Sequence, residues 1–424
     1  MERYDQIYRL YRDYDTETLE AYQDFVDLFP PVDSRVALDH WEEATDERER
    51  RKAEIRDGFD EEGDVYAELA ATLSRDQAFT ALDLATEYER PVNALVLDVD
   101  ETLRTAGRTD NEIPRDVLHR LHQLHEDGVP IVVCTGQTLE NVKGFLIQGL
   151  GNELVHSGDL SIVYESGNGV FTPGHGPDTK RLLYEDLDDE ITDVFAAVRS
   201  RIVTEAPEEI RRGCHLQGNE FNVTLKPNAE TGTPAARDVI DHALVYVIDL
   251  LADAVGEQIG HGGESGESSE AENDPASWAR ALYSRDPEIE QVLRSRDALP
   301  DVDLDDAPAD LAAILERIDV AYYEADAAEI VSLELDKAAG VEAAFDVLGV
   351  DDPFALVMGD SKSDLRVMRW LEEQEAGLAA APKHASRDVL DHVIRTDELL
   401  FDEGDAASVL ELVAGTNLFA ELDG

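Results

Sequence analysis

Residues 94–105 read ALVLDVDETLRT. An apolar run ends in two aspartates one residue apart, Asp98 and Asp100, with Thr102 two positions further on. Alternate residues of a strand point to the same side, so this spacing predicts two carboxylates at one spot at the strand's carboxyl end. Carboxylates crowded there repel each other and lose hydration, a cost that a bound cation offsets. A metal-assisted site is the first expectation, and its remaining parts should lie elsewhere in the chain.

From this stretch onward, strands and helices alternate. After strand 94–98, apolar periodicity predicts a helix near 114–127, with Pro114 at its start and Gly128 just past its end. A short buried strand, 129–134, runs into Thr135-Gly136. Helix 138–149 follows, then a strand near 161–164 that ends at Glu165-Ser166-Gly167-Asn168-Gly169. Alternation of this kind predicts an α/β fold with a Rossmann-like parallel sheet covered by helices on both faces. Between 171 and 334 the rhythm changes to a helix around 186–203, a strand-like FNVTL at 221–225, a helix around 234–254 and short strands near 318–323 and 329–335. Residues 256–276, GEQIGHGGESGESSEAENDPA, read as a flexible acidic loop. The first pattern then resumes with helix 338–348, strand 355–359, helix 363–372, and a final Ala-rich strand and helix.

The expected organisation is a catalytic core made of 91–170 and 335–424, an inserted α+β domain over 171–334, and an acidic helical extension over 1–90. In that extension Tyr4, Ile7, Tyr8, Tyr11 and Tyr14 recur at helical spacing until Pro30-Pro31. Ser34 is placed to cap a second helix, and Val65, Leu69 and Leu73 begin a third that ends before Pro91. The tyrosine stripe reads as a packing face, turned toward the core or toward a second copy in a homo-oligomer.

The chain has 424 residues, long enough for two or three domains, with 95 acidic against 36 basic residues and a formal charge of -59. Seven of the basic residues are lysines. A field this negative repels nucleic acid and anionic lipid, so neither is expected as a partner. No apolar run approaches a membrane span. Cys134 and Cys214 are the only cysteines, which excludes a disulfide framework and suits a reducing cytoplasm. The composition is similar to that of cytoplasmic proteins of the halophilic archaeal type, for which the Debye length of roughly 3 Å in about 1 M salt leaves only contact-range electrostatics.

Four segments should meet at the carboxyl ends of the core strands, where open α/β sheets place their ligands. They are Asp98-Val99-Asp100-Glu101-Thr102, Cys134-Thr135-Gly136-Gln137, Asp336-Lys337 ahead of a helix, and Gly359-Asp360-Ser361-Lys362-Ser363-Asp364. In so lysine-poor a chain, Lys337 just ahead of a helix stands out.

In these segments the chain resembles the haloacid dehalogenase superfamily of phosphotransferases. DVDET resembles its DxDx[TV] signature, CTGQ its hydroxyl motif, LDKAAG its lysine motif and GDSKSD its GDxxxD motif. The order of motifs and the wide insertion before the lysine resemble the class IIB, or Cof-type, members, which include sugar-phosphate phosphatases and the eukaryotic-type phosphomannomutases. ESGNGV at 165–170 and GLAAAPKHASRDVLDHVIRTDE at 377–398 are similar to two further segments of that group, with Pro382-Lys383-His384 where Gly-Asn-Ala is common. The resemblance covers roughly 94–415 and does not reach the N-terminal helices. Glu101 stands where a glycine is frequent.

The resemblance implies a phosphatase acting on a small phosphorylated metabolite, with Mg²⁺ as cofactor. Phosphoryl transfer needs an aligned oxygen nucleophile and positive charge around the spectator oxygens. Asp98 would attack phosphorus, and Asp100 would protonate the leaving alkoxide and then take a proton from water. The implied metal ligands are the Asp98 carboxylate, the Asp100 backbone carbonyl and the Asp360 carboxylate, with Asp364 beside them. Thr135 and the backbone of Gly136 would donate to phosphate, and Lys337 would neutralise charge on Asp98 and the transferring group. Thr102 and Asn168 are placed near the substrate.

The 171–334 insertion is, in this resemblance, a cap. Its GNEFNVTLKP stretch and the basic cluster Arg211, Arg212, His215, Asn222 and Lys226 are expected to hold a sugar or glycerate moiety, with Arg212 and Lys226 contacting substrate. A phosphohexomutase that returns the phosphoryl group to substrate, and a non-catalytic sugar-phosphate-binding regulator, are the competing readings. His119, His122 and His125 drift around one helix and read as a flanking face, not as a transition-metal site.

Overall fold

The computed structural model describes residues 2–29, 34–59, 62–100, 102–103, 112–260, 274–304 and 307–422. Glu101, Pro30-Pro31 and residues 261–273 of the acidic loop thus lie outside the described residues. The strands are β1 (Ala94–Asp98), β2 (Ile131–Cys134), β3 (Leu160–Tyr164), β4 (Gly169–Phe171), β5 (Arg181–Leu182), β6 (Cys214–Gly218), β7 (Asn222–Pro227), β8 (Ile318–Tyr323), β9 (Ala327–Ser332), β10 (Ala355–Met358), β11 (Gly377–Pro382) and β12 (Leu399–Phe401). The larger sheet has the order β12-β11-β10-β1-β2-β3-β4-β5, and its pairs from β12 through β3 are parallel. All five residues of β1 are buried, as a strand covered on both faces requires. The chain lays down β1, β2 and β3 in one direction, then returns to the other side of β1 for β10, β11 and β12. This is the doubly wound, Rossmann-like order, and it reverses between β1 and β10, where such sheets open a crevice.

The chain divides into two compact units: Met1–Ser166, Val170–Arg181 and Val341–Gly424 form the first, and Gly167–Gly169 with Leu182–Gly340 the second. In the first, the N-terminal stretch forms five helices where periodicity predicts three: Glu2–Asp13, Thr16–Leu28, Arg35–Arg56, Gly63–Thr72 and Arg75–Tyr88. Capping makes the extra breaks. Asp15 accepts from the Thr18 amide, and Ser74 forms a reciprocal capping box with Gln77. Ser34 caps the third helix, Arg35–Arg56, without a side-chain bond.

The tyrosine stripe is a packing face except at Tyr8, which is exposed: Tyr4, Tyr11 and Tyr14 lie against a core of Ile7, Leu10, Leu19, Ile55, Tyr66, Leu69 and Leu73, and Tyr11 donates to the Leu73 carbonyl at 2.8 Å. Phe419, from helix Ala406–Glu421, belongs to the same core. That helix approaches closely at Gly415, where a Cβ would lie 2.4 Å from Leu73 Cδ1. At about 1.5–3 kcal/mol for each large apolar side chain buried, this core contributes substantially to the unit's stability.

In the second unit, β6, β7, β9 and β8 form an antiparallel sheet in that order, with helix Thr233–Gln258 packed along it. Sequence periodicity identifies β7, β8, β9 and the long helix but misses β6, whose CHLQG has one buried residue in five. It also misses helices Pro275–Tyr283 and Pro287–Ser295, each announced by an Asp-Pro pair in which the aspartate caps and the proline takes a first-turn position. Among the described residues no helix is long and apolar enough to cross a membrane.

Candidate active site

β1 stops at Asp98, which is 7 % exposed and in register with Cys134 of β2. Val99 turns into the core and Asp100 sits beyond the strand in an isolated bridge. The strand thus stops two residues short of Asp100, and the alternate-residue geometry expected from the sequence does not extend to it. Asp100 is held by other means: Gln137 Nε2 donates to its Oδ2 at 2.8 Å. Thr102 is buried, and its Oγ1 has no hydrogen-bond partner among the described residues. Such an orphaned hydroxyl costs stability unless a ligand or water meets it.

Beside β1, β10 ends at Met358 and leads into Gly359-Asp360, then helix Lys362–Glu373. Ser361 is the N-cap of that helix and Asp364 its N3 residue, joined in a capping box. Asp364 Oδ2 accepts from Ser361 N at 3.0 Å, Ser361 Oγ at 2.6 Å and Asp360 N at 3.3 Å. The helix-capping reading of GDSKSD and the metal-site reading thus fall on the same residues. One carboxylate oxygen each of Asp98, Asp360 and Asp364 lies within 4.8 Å of the other two. Asp98 and Asp364 are buried and Asp360 is half-buried, so their mutual repulsion is poorly screened. An all-oxygen, all-anionic donor set fits a hard cation such as Mg²⁺ and not a thiolate- or imidazole-seeking metal.

A third segment follows β2. Thr135 is buried; its amide donates to Val163 O at 2.9 Å, and its Oγ1 accepts from Gln137 N at 3.1 Å, which leaves its O–H to donate. Gly136 is exposed. Ser166 N donates to Thr135 O at 3.0 Å and Glu165 N to Gln137 O at 2.9 Å. Both donors come from a turn in which Glu165 and Ser166 have left-handed φ of 50° and 57°. Burial, and then the neighbouring Glu140, push the Glu165 carboxyl above its ordinary value.

Asn168, Arg212, Lys226 and Lys337 belong to the second unit. Asn168 is buried and its carbonyl accepts from Leu183 N at 2.9 Å. The 167–169 and 336–337 segments run together there, since a Cβ on Gly167 would fall 2.0 Å from Asp336 O. Lys337 is 3 % exposed and opens helix Lys337–Leu348. Arg212 is largely exposed and pairs with Glu208 at 2.5 Å on its own short helix. Lys226 pairs with Asp326 at 3.2 Å.

The strand register sets His215 opposite Lys226, Gln217 opposite Thr224, and Thr224 opposite Glu329. These residues, with Asn222, therefore share one face of the small sheet. Thr224 Oγ1 lies 2.8 Å from Asn222 Oδ1 and 3.3 Å from Glu329 Oε1. Arg212, expected among them, sits on the helix preceding β6.

A second acidic group, Glu209, Asp238 and His242, is a surface ion-pair network: Arg296 Nη2 lies 2.7 Å from Asp238 Oδ1, and Arg296 Nη1 lies 2.7 Å from His242 Nε2. His119 flanks the N-terminal helices, 3.1 Å from Asp27. Two residues of the site were not singled out from sequence. Gln137 was visible only as the long amide closing CTGQ, and Ser361 only as a helix cap.

No family model and no curated protein matches the chain. Among solved structures it is similar to the trehalose-6-phosphate phosphatase of Aspergillus fumigatus, at 13% identity over 80% of this chain and 97% of that one, with a TM-score of 0.41. It is similar to the sucrose-phosphatase of Synechocystis sp. PCC6803 at 12% identity, over 77% of this chain and 99% of that one, with a TM-score of 0.42. A haloacid dehalogenase-like hydrolase from Bacteroides thetaiotaomicron is similar at 14% identity, over 76% and 98% of the two chains, with a TM-score of 0.39.

Proposed function

We propose that this chain is a magnesium-dependent phosphatase of the haloacid dehalogenase superfamily, hydrolysing a small phosphorylated metabolite through an aspartyl-phosphate on Asp98. The observation that carries the reading is the gathering of Asp98, Asp360 and Asp364 oxygens within 4.8 Å at the reversal point of a doubly wound sheet. Asp98, Asp360 and the Asp100 carbonyl would hold Mg²⁺, with Asp364 organising their loop. The ion, when bound, supplies positive charge to a transferring phosphoryl group.

The chain's own residues supply the rest. Asp98 attacks phosphorus while Asp100 gives a proton to the departing oxygen. Water then adds to phosphorus, the bond to Asp98 breaks, and Asp100 takes the water's proton. The Thr135 hydroxyl and the Gly136 amide would donate to the phosphoryl oxygens, with the Thr102 hydroxyl as a further donor, and Lys337 would balance negative charge.

A sugar phosphate is the substrate class. The neutral donors and acceptors on the small sheet, Gln217, Asn222 and Thr224, suit a polyhydroxylated moiety, with Asn168, Arg212 and Lys226 as further contacts. A charge of -59 makes molar salt the natural assay medium.

The test is a panel of hexose phosphates in molar KCl, with and without Mg²⁺, followed for free phosphate and for isomerised sugar phosphate. Free phosphate that disappears with chelator supports the reading. Isomerised product without phosphate release would make the chain a mutase, and tight binding without turnover would make it a regulator.

A further inference from the structure

We infer that Gln137 is a positioning residue that fixes the Asp100 carboxylate, an inference resting on the phosphatase reading of the same site. Asp100 calls for such a fix because β1 ends at Asp98 and Asp100 lies beyond it, in an isolated bridge and not within a continuing strand. Gln137 is suited to provide it because its own backbone is tied at both ends. Its amide donates to Thr135 Oγ1 at 3.1 Å and its carbonyl accepts from Glu165 N at 2.9 Å. The Ser166 amide, donating to Thr135 O at 3.0 Å, secures the same loop again. From this base the side chain reaches Asp100 Oδ2 at 2.8 Å.

The chemistry of the anchor matters as much as its reach. A carboxamide N–H offers direction without charge, so it holds Asp100 without competing for the phosphoryl oxygens as a guanidinium or ammonium would. The anchor therefore orients the acid–base group and leaves substrate binding to other residues. Its loss should act on the step that depends most on Asp100: water adding to phospho-Asp98, with the P–O bond to Asp98 breaking and the water's proton passing to Asp100.

The test compares the full chain with its Gln137→Leu variant, which keeps the volume and removes the donor. With Mg²⁺ and p-nitrophenyl phosphate, whose leaving group departs without a proton, phosphorylation of Asp98 is spared and its hydrolysis slows. The expected result is kcat lower on the order of 10- to 100-fold, the range for a misplaced catalytic group, with KM falling in parallel so that kcat/KM stays within about twofold, and a larger steady-state fraction of ³²P-labelled enzyme. Unchanged kcat and labelling, or a raised KM at unchanged kcat, would overturn the inference.

Crystal structures of both proteins give a readout independent of turnover. The inference expects one Asp100 rotamer in the wild type and a displaced carboxylate in Gln137→Leu. An unmoved carboxylate in the variant overturns it whatever the activity. A wild type that hydrolyses nothing, but whose Asp100 moves only in the variant, overturns the phosphatase reading and supports the anchor.

Discussion

A methyl group on Gly359 would lie 2.3 Å from Cβ of Asp364, so the backbone that follows β10 and the capping carboxylate of the next helix occupy one tightly shared space. Both atoms belong to rigid parts: Asp364 is buried and holds two amides and a hydroxyl through Oδ2. Gly359→Ala must therefore push Asp364 out of its capping box. The expected cost is about 1–2 kcal/mol for the lost cap, with half-saturating Mg²⁺ raised roughly tenfold or more, since about 1.4 kcal/mol is a factor of ten. Thermal melts and a Mg²⁺ titration check both. A wild-type Mg²⁺ response alongside a lowered melting temperature would reduce Asp364 to a helix cap.

Asp98→Asn separates the repulsion within the carboxylate cluster from the use made of it. In chelator the substitution removes one negative charge from a cluster of two buried and one half-buried carboxylates, so the variant should be more stable than the wild type, by about 1 kcal/mol. With saturating Mg²⁺ the order should reverse, because the wild type gains the greater binding energy. Denaturation in chelator and in Mg²⁺ reads this sign change, and trapping of the phosphoenzyme mimic by fluoroberyllate should vanish in the variant. Labelling that persists would move the nucleophile elsewhere.

What sequence reading captures and misses here has a physical pattern. β1, β2, β3 and β10 are buried on every residue, so their apolar runs stand out, and Pro114 and Gly128 bracket helix Arg115–Glu126 as expected. β6 escapes because its CHLQG is mostly exposed and carries no alternation. The N-terminal helices number five because local caps at Asp15 and Ser74 outweigh a continuous apolar period. Asp98 was legible because it ends a buried run, whereas Asp360 and Asp364, in the loop and first helical turn after β10, were expected together only through the resemblance of GDSKSD to a known motif. The Asp100–Gln137 bond was not legible, because it joins two loops 37 residues apart and depends on where β1 happens to stop.

Glu398 ties stability to pH. Burial pushes its carboxyl up to about 7, although the Ala379 amide donates to it at 2.9 Å. A folded value above the unfolded one means the folded chain holds the extra proton between about pH 4.5 and 7. That contribution is fully present below the unfolded value and is lost as pH rises through 7. Glu398→Gln keeps an acceptor for Ala379 without the charge. It should stabilise the protein by about 1–2 kcal/mol at pH 8, allowing for partial solvent screening, and by little at pH 5. Urea denaturation at the two pH values measures the difference, and an equal gain at both would remove ionisation of Glu398 as the cause.

The N-terminal helices are tied to the sheet's covering helices by a buried charge as well as by apolar packing. Arg120, on helix Arg115–Glu126, is 4 % exposed; it lies 3.1 Å from Glu411 of helix Ala406–Glu421 and 3.8 Å from Asp24 of the N-terminal stretch. Gln77, from the fifth helix, donates to the other Glu411 oxygen at 2.8 Å. Burial raises the Glu411 carboxyl above its ordinary value, and Arg120 is the chief influence opposing that. Arg120→Met should therefore cost about 3–5 kcal/mol, most of it from leaving Glu411 buried without its cation. Adding Glu411→Gln should recover much of that loss, since the amide can still accept from Gln77 while carrying no charge. Denaturation of the two single variants and the double variant forms the cycle. Strict additivity would place the damage in lost arginine packing instead of in the orphaned carboxylate.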